Sequence, residues 1–225
     1  MSTKTLTLMP PLVLLLLLSS LPWLTMQDPD LLMDYCVADV SRTPFFFNGE
    51  LCIDPSLVIS NHFFTSSLSK QEMTGNIFGS NTTTTTTKNL PGSNAQGLTM
   101  ARIDLAPGGI VPLHSHPRGA EVVILIKGTQ VMVGFVETKE NKLYVQQLRP
   151  GDVFVFPKGL DHFLLNLDGA TSATAIAGMS SQNPGEQVVP WATFQSMPNI
   201  PDEVLEKTFK VSAQDIKRIR KNLGG

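Results

Sequence analysis

The sequence predicts an all-β barrel or sandwich followed by a short helical extension. Three observations carry this expectation. Short apolar or alternating runs recur about every ten residues between Leu98 and Gly178, turn residues separate them, and no helix-length periodic segment interrupts them. The runs cover 98–105, 121–126, 130–136, 143–148, 153–156, 163–167 and 172–177, and the barrel core is expected over about 94–195. Between the runs stand Pro107-Gly108-Gly109, Lys127-Gly128, Pro150-Gly151 and Leu167-Asp168-Gly169. Many short strands at that spacing point to an antiparallel sandwich or barrel.

After the β region the pattern changes. Pro201 is followed by Asp202 and Glu203, residues that suit the first turn of a helix. Ser212-Ala213-Gln214-Asp215 resembles a capping box, with Ile216, Ile219 and Leu223 at helical spacing and Gly224 beyond. Two amphipathic helices are therefore expected over about 201–222. The cations Lys217, Arg218, Arg220 and Lys221 suit the last turn of the second helix, where they meet the negative end of its dipole.

At the other end, Lys4 precedes an apolar run from Leu12 to Leu18. That run is far short of the roughly 20 residues needed to span a bilayer, and it matches the core of an export signal. A signal peptide over residues 1–26 is expected, cut between Ser20 and Gln27, leaving a single domain over 27–225. Residues 28–75 read as an irregular arm with short strands. They contain both cysteines, Cys36 and Cys52. In an exported chain such a pair favours a disulfide over reduced thiols or metal ligation. Closing a loop of about 15 residues stabilises by about 3 kcal/mol. The run from Gly79 to Lys88, mostly threonine, lacks apolar periodicity and is expected to be an exposed loop. Within it Asn81-Thr82-Thr83 is a glycosylation acceptor.

Composition narrows the function. Apolar residues make up 42% and charged residues 16% of the 225 residues, which gives a globular chain with a sizeable core. A formal net charge of -2 without a long run of one sign offers nothing to nucleic acid or anionic lipid. Neither nucleic acid nor, after signal cleavage, a membrane is expected as a partner.

Chemistry concentrates in the histidines. His114 and His116 are two apart, so on a strand they project from one face. Glu121 opens the apolar run Val122 to Ile126, and an inward carboxylate there needs a partner. His162 follows Pro157-Lys158-Gly159 at the start of another run. Three imidazoles and a carboxylate make a first shell for one divalent transition metal, with exchangeable positions left over. The fourth histidine, His62, lies outside the β region and reads as structural.

Gly108, His114, His116, Glu121 and Gly128 fit Gly-x5-His-x-His-x4-Glu-x6-Gly, the first cupin motif. Gly151, Pro157, Gly159, His162 and Asn166 fit the second, Gly-x5-Pro-x-Gly-x2-His-x3-Asn. With Tyr35 to Asp39, Ala101 to Asp104, Ala106 to Gly109, Gly151 to Pro157 and Ser181 to Gly185, the chain resembles a plant germin-like protein from about Asp34 onward. That resemblance implies a cupin jelly-roll barrel with Mn2+ held by His114, His116, Glu121 and His162. It also implies a Cys36–Cys52 disulfide, a glycosylated chain, export to the apoplast or cell wall, and a homohexamer built as a trimer of dimers. Spacing by itself leaves other divalent transition ions open.

The same resemblance offers three activities. Superoxide dismutation comes first, since it asks for little beyond a redox-active ion with an open position. A non-enzymatic wall protein, acting as receptor, store or binding protein around a structural metal, comes second. Oxalate oxidation, in which asparagines steer oxalate on the metal, comes third. Asn94 fits the first such asparagine, whereas Ala101 stands at the second and its methyl group cannot hydrogen-bond a carboxylate.

Overall fold

The computed structural model describes residues 34–41 and 49–224, so the expected signal peptide lies outside the described residues. Ten strands form two five-stranded antiparallel sheets, the jelly-roll barrel expected. One sheet runs in the order β1 (Ser80–Thr84), β2 (Thr99–Leu105), β9 (Ala173–Met179), β4 (Glu121–Lys127), β7 (Val153–Phe156). The other runs β10 (Gln187–Val188), β3 (Ile110–Ser115), β8 (His162–Asn166), β5 (Val131–Val136), β6 (Leu143–Leu148). Most were legible from alternation, because side chains two apart share a face. Ala101, Ile103 and Leu105 of β2, Val123 and Leu125 of β4, Val131 and Val133 of β5, and Leu164 of β8 all turn inward to one buried cluster. The alanines Ala173, Ala175 and Ala177 face the same cluster from β9, which pairs with β2 on one side and β4 on the other.

Two expectations fail here. The threonine run is loop only in part: Ser80–Thr84 is strand β1, paired with β2 from Ser80↔Leu105 to Thr84↔Ala101, and residues 85–88 lie beyond it. Threonine is β-branched and fits a pleated surface, and an edge strand needs no apolar periodicity to form. Nor do the described residues of the arm form a strand. Among its described residues there are two 3₁₀ turns, Pro55–Leu57 and Ser60–Phe63, and one isolated bridge, Ala38↔Cys52. Backbone pairing is replaced by covalent and side-chain ties. Cys36 and Cys52 are joined as a disulfide. His62 is structural as expected, accepting the Ile59 amide at Nδ1.

The arm is clamped to the outside of the barrel by a buried ion pair. Arg102 and Asp104 point outward from β2, and the Arg102 fork meets both Asp104 oxygens at 2.9–3.1 Å. Arg102 Nη1 also donates to the Leu68 carbonyl, while Asp104 accepts from the Glu72 amide and the Thr174 hydroxyl. Asp104 is fully buried. Burial alone would raise its pKa, but the Arg102, Glu72 and Thr174 contacts outweigh it and hold the carboxyl below its ordinary value.

Beyond the barrel come α1 (Val189–Phe194), α2 (Asp202–Phe209) and α3 (Ala213–Asn222). The capping box forms as expected: Ser212 Oγ accepts the Asp215 amide, and the Asp215 carboxylate accepts the Ser212 amide. Arg220 does more than meet a dipole. It donates to the Phe194 and Ile200 carbonyls and to Asp202, tying α3 to the end of α1 and the start of α2. Among the described residues no helix is long and apolar enough to cross a membrane.

Because Asp104 titrates below its unfolded value, its contribution is fully present above about pH 4. It is lost as the pH falls through the depressed value. Urea titrations from pH 3 to 7 will show this slope flattened in Asp104→Asn, which loses on the order of 3 kcal/mol at pH 7. Replacing Cys36 and Cys52 together by serine will lower the unfolding free energy by about 3 kcal/mol.

Candidate metal centre

The centre forms where the two sheets face each other at one end of the barrel. His114 from β3 and His162 from β8 are direct cross-strand partners. His116 follows β3, and Glu121 starts β4 on the opposite sheet. Inward orientation of Glu121 is forced by alternation, since it shares a face with Val123 and Leu125. His114 needs a different device. Counting by twos from inward-facing Val111 would turn His114 outward, but the register shifts between these residues and restores it to the interior. Pro112, which cannot donate to a ladder, sits within that irregularity.

All four sequence-predicted ligands meet. Their donor atoms lie within 4.8 Å of one another, and all four side chains are buried. Each imidazole is turned by a backbone carbonyl: His114 Nδ1 faces Pro112 O at 2.8 Å, His162 Nδ1 faces Leu160 O at 2.8 Å, and His116 Nδ1 faces Gly185 O at 2.5 Å. A carbonyl can only accept, so each Nδ1 carries the proton and each Nε2 lone pair is left for the centre. Glu121 Oε2 lies 3.1 Å from His116 Nε2 and 3.2 Å from His162 Nε2. Phe156, 1% exposed, stacks on His162 at 4.4 Å and closes the inner side.

Electrostatics ask for a cation. Burial first, then the neighbouring imidazoles, pushes His114 down to about 4, which keeps it neutral. Burial would raise Glu121, but His116 and His162, in the form that carries a proton on Nε2 as well, overcome it and hold the carboxyl at about 2. His116 moves the other way: burial lowers it, and Glu121 and the Gly185 carbonyl more than compensate. Without an ion, one extra proton on His116 answers one of the Glu121 contacts, while the remaining lone pairs still converge. A divalent ion answers all of them, and the donor set suits a transition metal better than calcium or magnesium, which prefer oxygen. The residues therefore fit the metal.

From the centre a cavity of about 240 Å³ leads outward. Its inner wall is Ala101, Ile103, Val111 and Met179, and its rim carries Thr82, Thr84 and Thr86. Ala101 points inward beside the centre as alternation predicts. Asn94 does not join it. Wholly buried elsewhere, Asn94 accepts the Glu50 amide and donates to Glu50 O and Cys36 Sγ, so it pins the disulfide arm. The carbonyl of Gly185, the Phe156 ring and the threonine rim were all missed from the sequence. Only the alternation of Thr82 and Thr84 opposite Ile103 and Ala101 held a readable signal. Glu121→Gln keeps the shape but removes the charge. Competition against a graded chelator will show its metal affinity reduced by more than a second-shell change, roughly 100-fold or more. A saturating ion at about 1,000 times its Kd adds about 4 kcal/mol to wild-type stability.

Residues 66–217 match the family described as Cupin. The chain is 50% identical over 204 residues to germin-like protein 3-1 of Oryza sativa subsp. japonica, covering 88% of this chain and 90% of that one. It is 47% identical over 215 residues to germin-like protein subfamily 1 member 1 of Arabidopsis thaliana, covering 94% and 98%. A recombinant oxalate oxidase in complex with glycolate shares the fold with a TM-score of 0.84 at 38% identity, over 88% of this chain and 98% of that chain. Peruvianin-I, described as a cysteine peptidase from Thevetia peruviana latex, gives 0.67 at 38% identity, over 72% and 98%. With the ligands, the barrel and these relatives in agreement, the chain belongs to the germin-like proteins of the cupin family.

Proposed function

We propose that this chain is an exported manganese protein of the apoplast that dismutes superoxide at the His114, His116, Glu121 and His162 centre. One observation carries the reading: a buried three-histidine, one-carboxylate donor set opens through a small cavity to a threonine rim. Manganese bound there supplies a one-electron couple through which two superoxide ions and two protons become oxygen and hydrogen peroxide. The chain's own part is to hold three Nε2 lone pairs inward and to balance the ion's charge with Glu121. Phe156 shields the inner side of His162. Export is supported by the disulfide, which suits an oxidising compartment. Asn81, the acceptor we propose for a glycan, is partly exposed on edge strand β1, with its Nδ2 donating to Met73 O at 3.3 Å.

Oxalate oxidation, the activity named for the structural relative, ranks below dismutation. Ala101, where the resemblance to oxalate-oxidising relatives calls for an asparagine, offers the wall only a methyl group, and neighbouring Ile103 and Val111 cannot hydrogen-bond a carboxylate either. Thiol peptidase chemistry, named for Peruvianin-I, has no free cysteine to use. A purely structural metal is the standing alternative, since an ion that neutralises Glu121 stabilises the barrel whether or not it turns over.

We also propose that the protein assembles as a hexamer. Val122, Ile126, Val153 and Val155 project outward from the edge pair β4–β7 and are about half exposed, an apolar strip that a second copy would cover. Light scattering behind size exclusion tests this, and a monomer would refute it.

Purified manganese-loaded wild type is expected to consume superoxide, with His114→Ala and His162→Ala falling to the background rate. Equal consumption by all three would sink the dismutase reading. Oxalate is expected to yield no peroxide with any of them.

A further inference from the structure

The three imidazoles are not oriented by equivalent means. His114 and His162 each reach back to the carbonyl two residues earlier, Pro112 O within β3 and Leu160 O just before β8, so those contacts are local. His116 instead depends on Gly185 O, 69 residues away in the loop between β9 and β10. Whatever fixes that loop fixes His116.

The loop is held most directly by Arg118, an exposed side chain two residues past His116. Its Nε donates to Asn183 O at 2.6 Å, its Nη2 donates to Asn183 Oδ1 at 2.8 Å, and its own amide donates to Pro184 O at 3.0 Å. The guanidinium also lies against Gly185. A Cβ at Gly185, where φ is +70°, would come within 2.8–3.2 Å of the guanidinium atoms. Packing from the other side is equally close, since a Cβ at Gly119 would sit 3.2 Å from the Pro184 side chain. The far end of the loop is tied back to the barrel through Thr99 Oγ1 and Ser181 O.

We infer that Arg118 is a positioning residue for the metal centre: its two-pronged grip on Asn183 holds the Gly185 carbonyl against His116 Nδ1. The inference rests on the metal-binding reading of the four-donor cluster. Its consequence is that His116 is the ligand whose hold on the ion depends on this loop, while His114 and His162 do not. The guanidinium geometry is essential, because lysine offers a single point donor where Asn183 presents a carbonyl and an amide oxygen together.

The test uses the full chain loaded with zinc, which is diamagnetic, and with manganese. Wild-type uptake of one ion is measured first and tests the metal-binding reading by itself; no uptake would overturn both. Arg118→Ala and Asn183→Ala are expected to weaken metal affinity roughly ten- to a hundredfold, the usual effect of losing an outer-shell partner, with Arg118→Lys between them and wild type. Imidazole NMR of the zinc form is expected to show faster exchange of the His116 Nδ1 proton in these variants, with His114 and His162 unchanged. Thermal midpoints of the metal-free variants should match wild type. Unchanged affinity in Arg118→Ala would overturn the inference. So would equal perturbation of all three imidazoles, or metal loss that merely tracks a lowered metal-free midpoint.

Discussion

Glu121 is an ionised carboxylate buried between two sheets with only imidazoles to answer it. An isolated charge in such a place costs far more than any single apolar contact returns. The surrounding architecture reads as its accommodation. β4 must present Glu121 inward because its apolar neighbours Val123 and Leu125 occupy the same face. β3 and β8 of the opposite sheet must then bring nitrogen donors to that point. The three carbonyl contacts keep those donors' lone pairs aimed at it.

Cavity chemistry follows from the same alternation. The inward positions of β2 and β9 nearest the centre are Thr99, Ala101, Ala177 and Met179, which leave space without adding charge. Polarity comes from Thr99 inside, from Gln182, Asn183 and Glu186 of the loop between β9 and β10, and from Thr82 and Thr84, which β1 lays opposite Ile103 and Ala101. A donor set rich in charge thus sits at the bottom of a narrow channel of mixed lining. Electrostatic interactions between the centre and a small anion are strengthened there, because little water competes.

Outside the barrel, long-range ties substitute for regular structure. Asn94 imitates a strand neighbour for Glu50 with its amide, and the Arg102–Asp104 pair seats the segment around Leu68 and Glu72 on the outer face of β2. Neither pattern could be read from composition. A buried asparagine and a charged pair two apart on a strand look like surface residues until the covering segment is known. Arg220 carries the same lesson at the other end: a cation in the last turn of a helix suggests a dipole contact, yet it spans three helical segments.

Seven of the ten described strands, the two C-terminal helices with their capping box, and the identity of the four ligands were determined by the sequence alone; β1, β3, β10 and α1 were not. Periodicity and fixed spacing are local properties that survive without coordinates. Tertiary structure decided the rest. It made the first part of the threonine run an edge strand, because β2 had an open side for it. It moved Asn94 away from the metal, because the disulfide arm folds over that residue. Above all it set the face of His114, where the irregularity around Pro112 reverses the count by twos, and the orientation of His116, whose partner lies in a distant loop. Spacing names which side chains can bind an ion. Register shifts and remote carbonyls, which depend on pairings across the whole chain, decide where their lone pairs point.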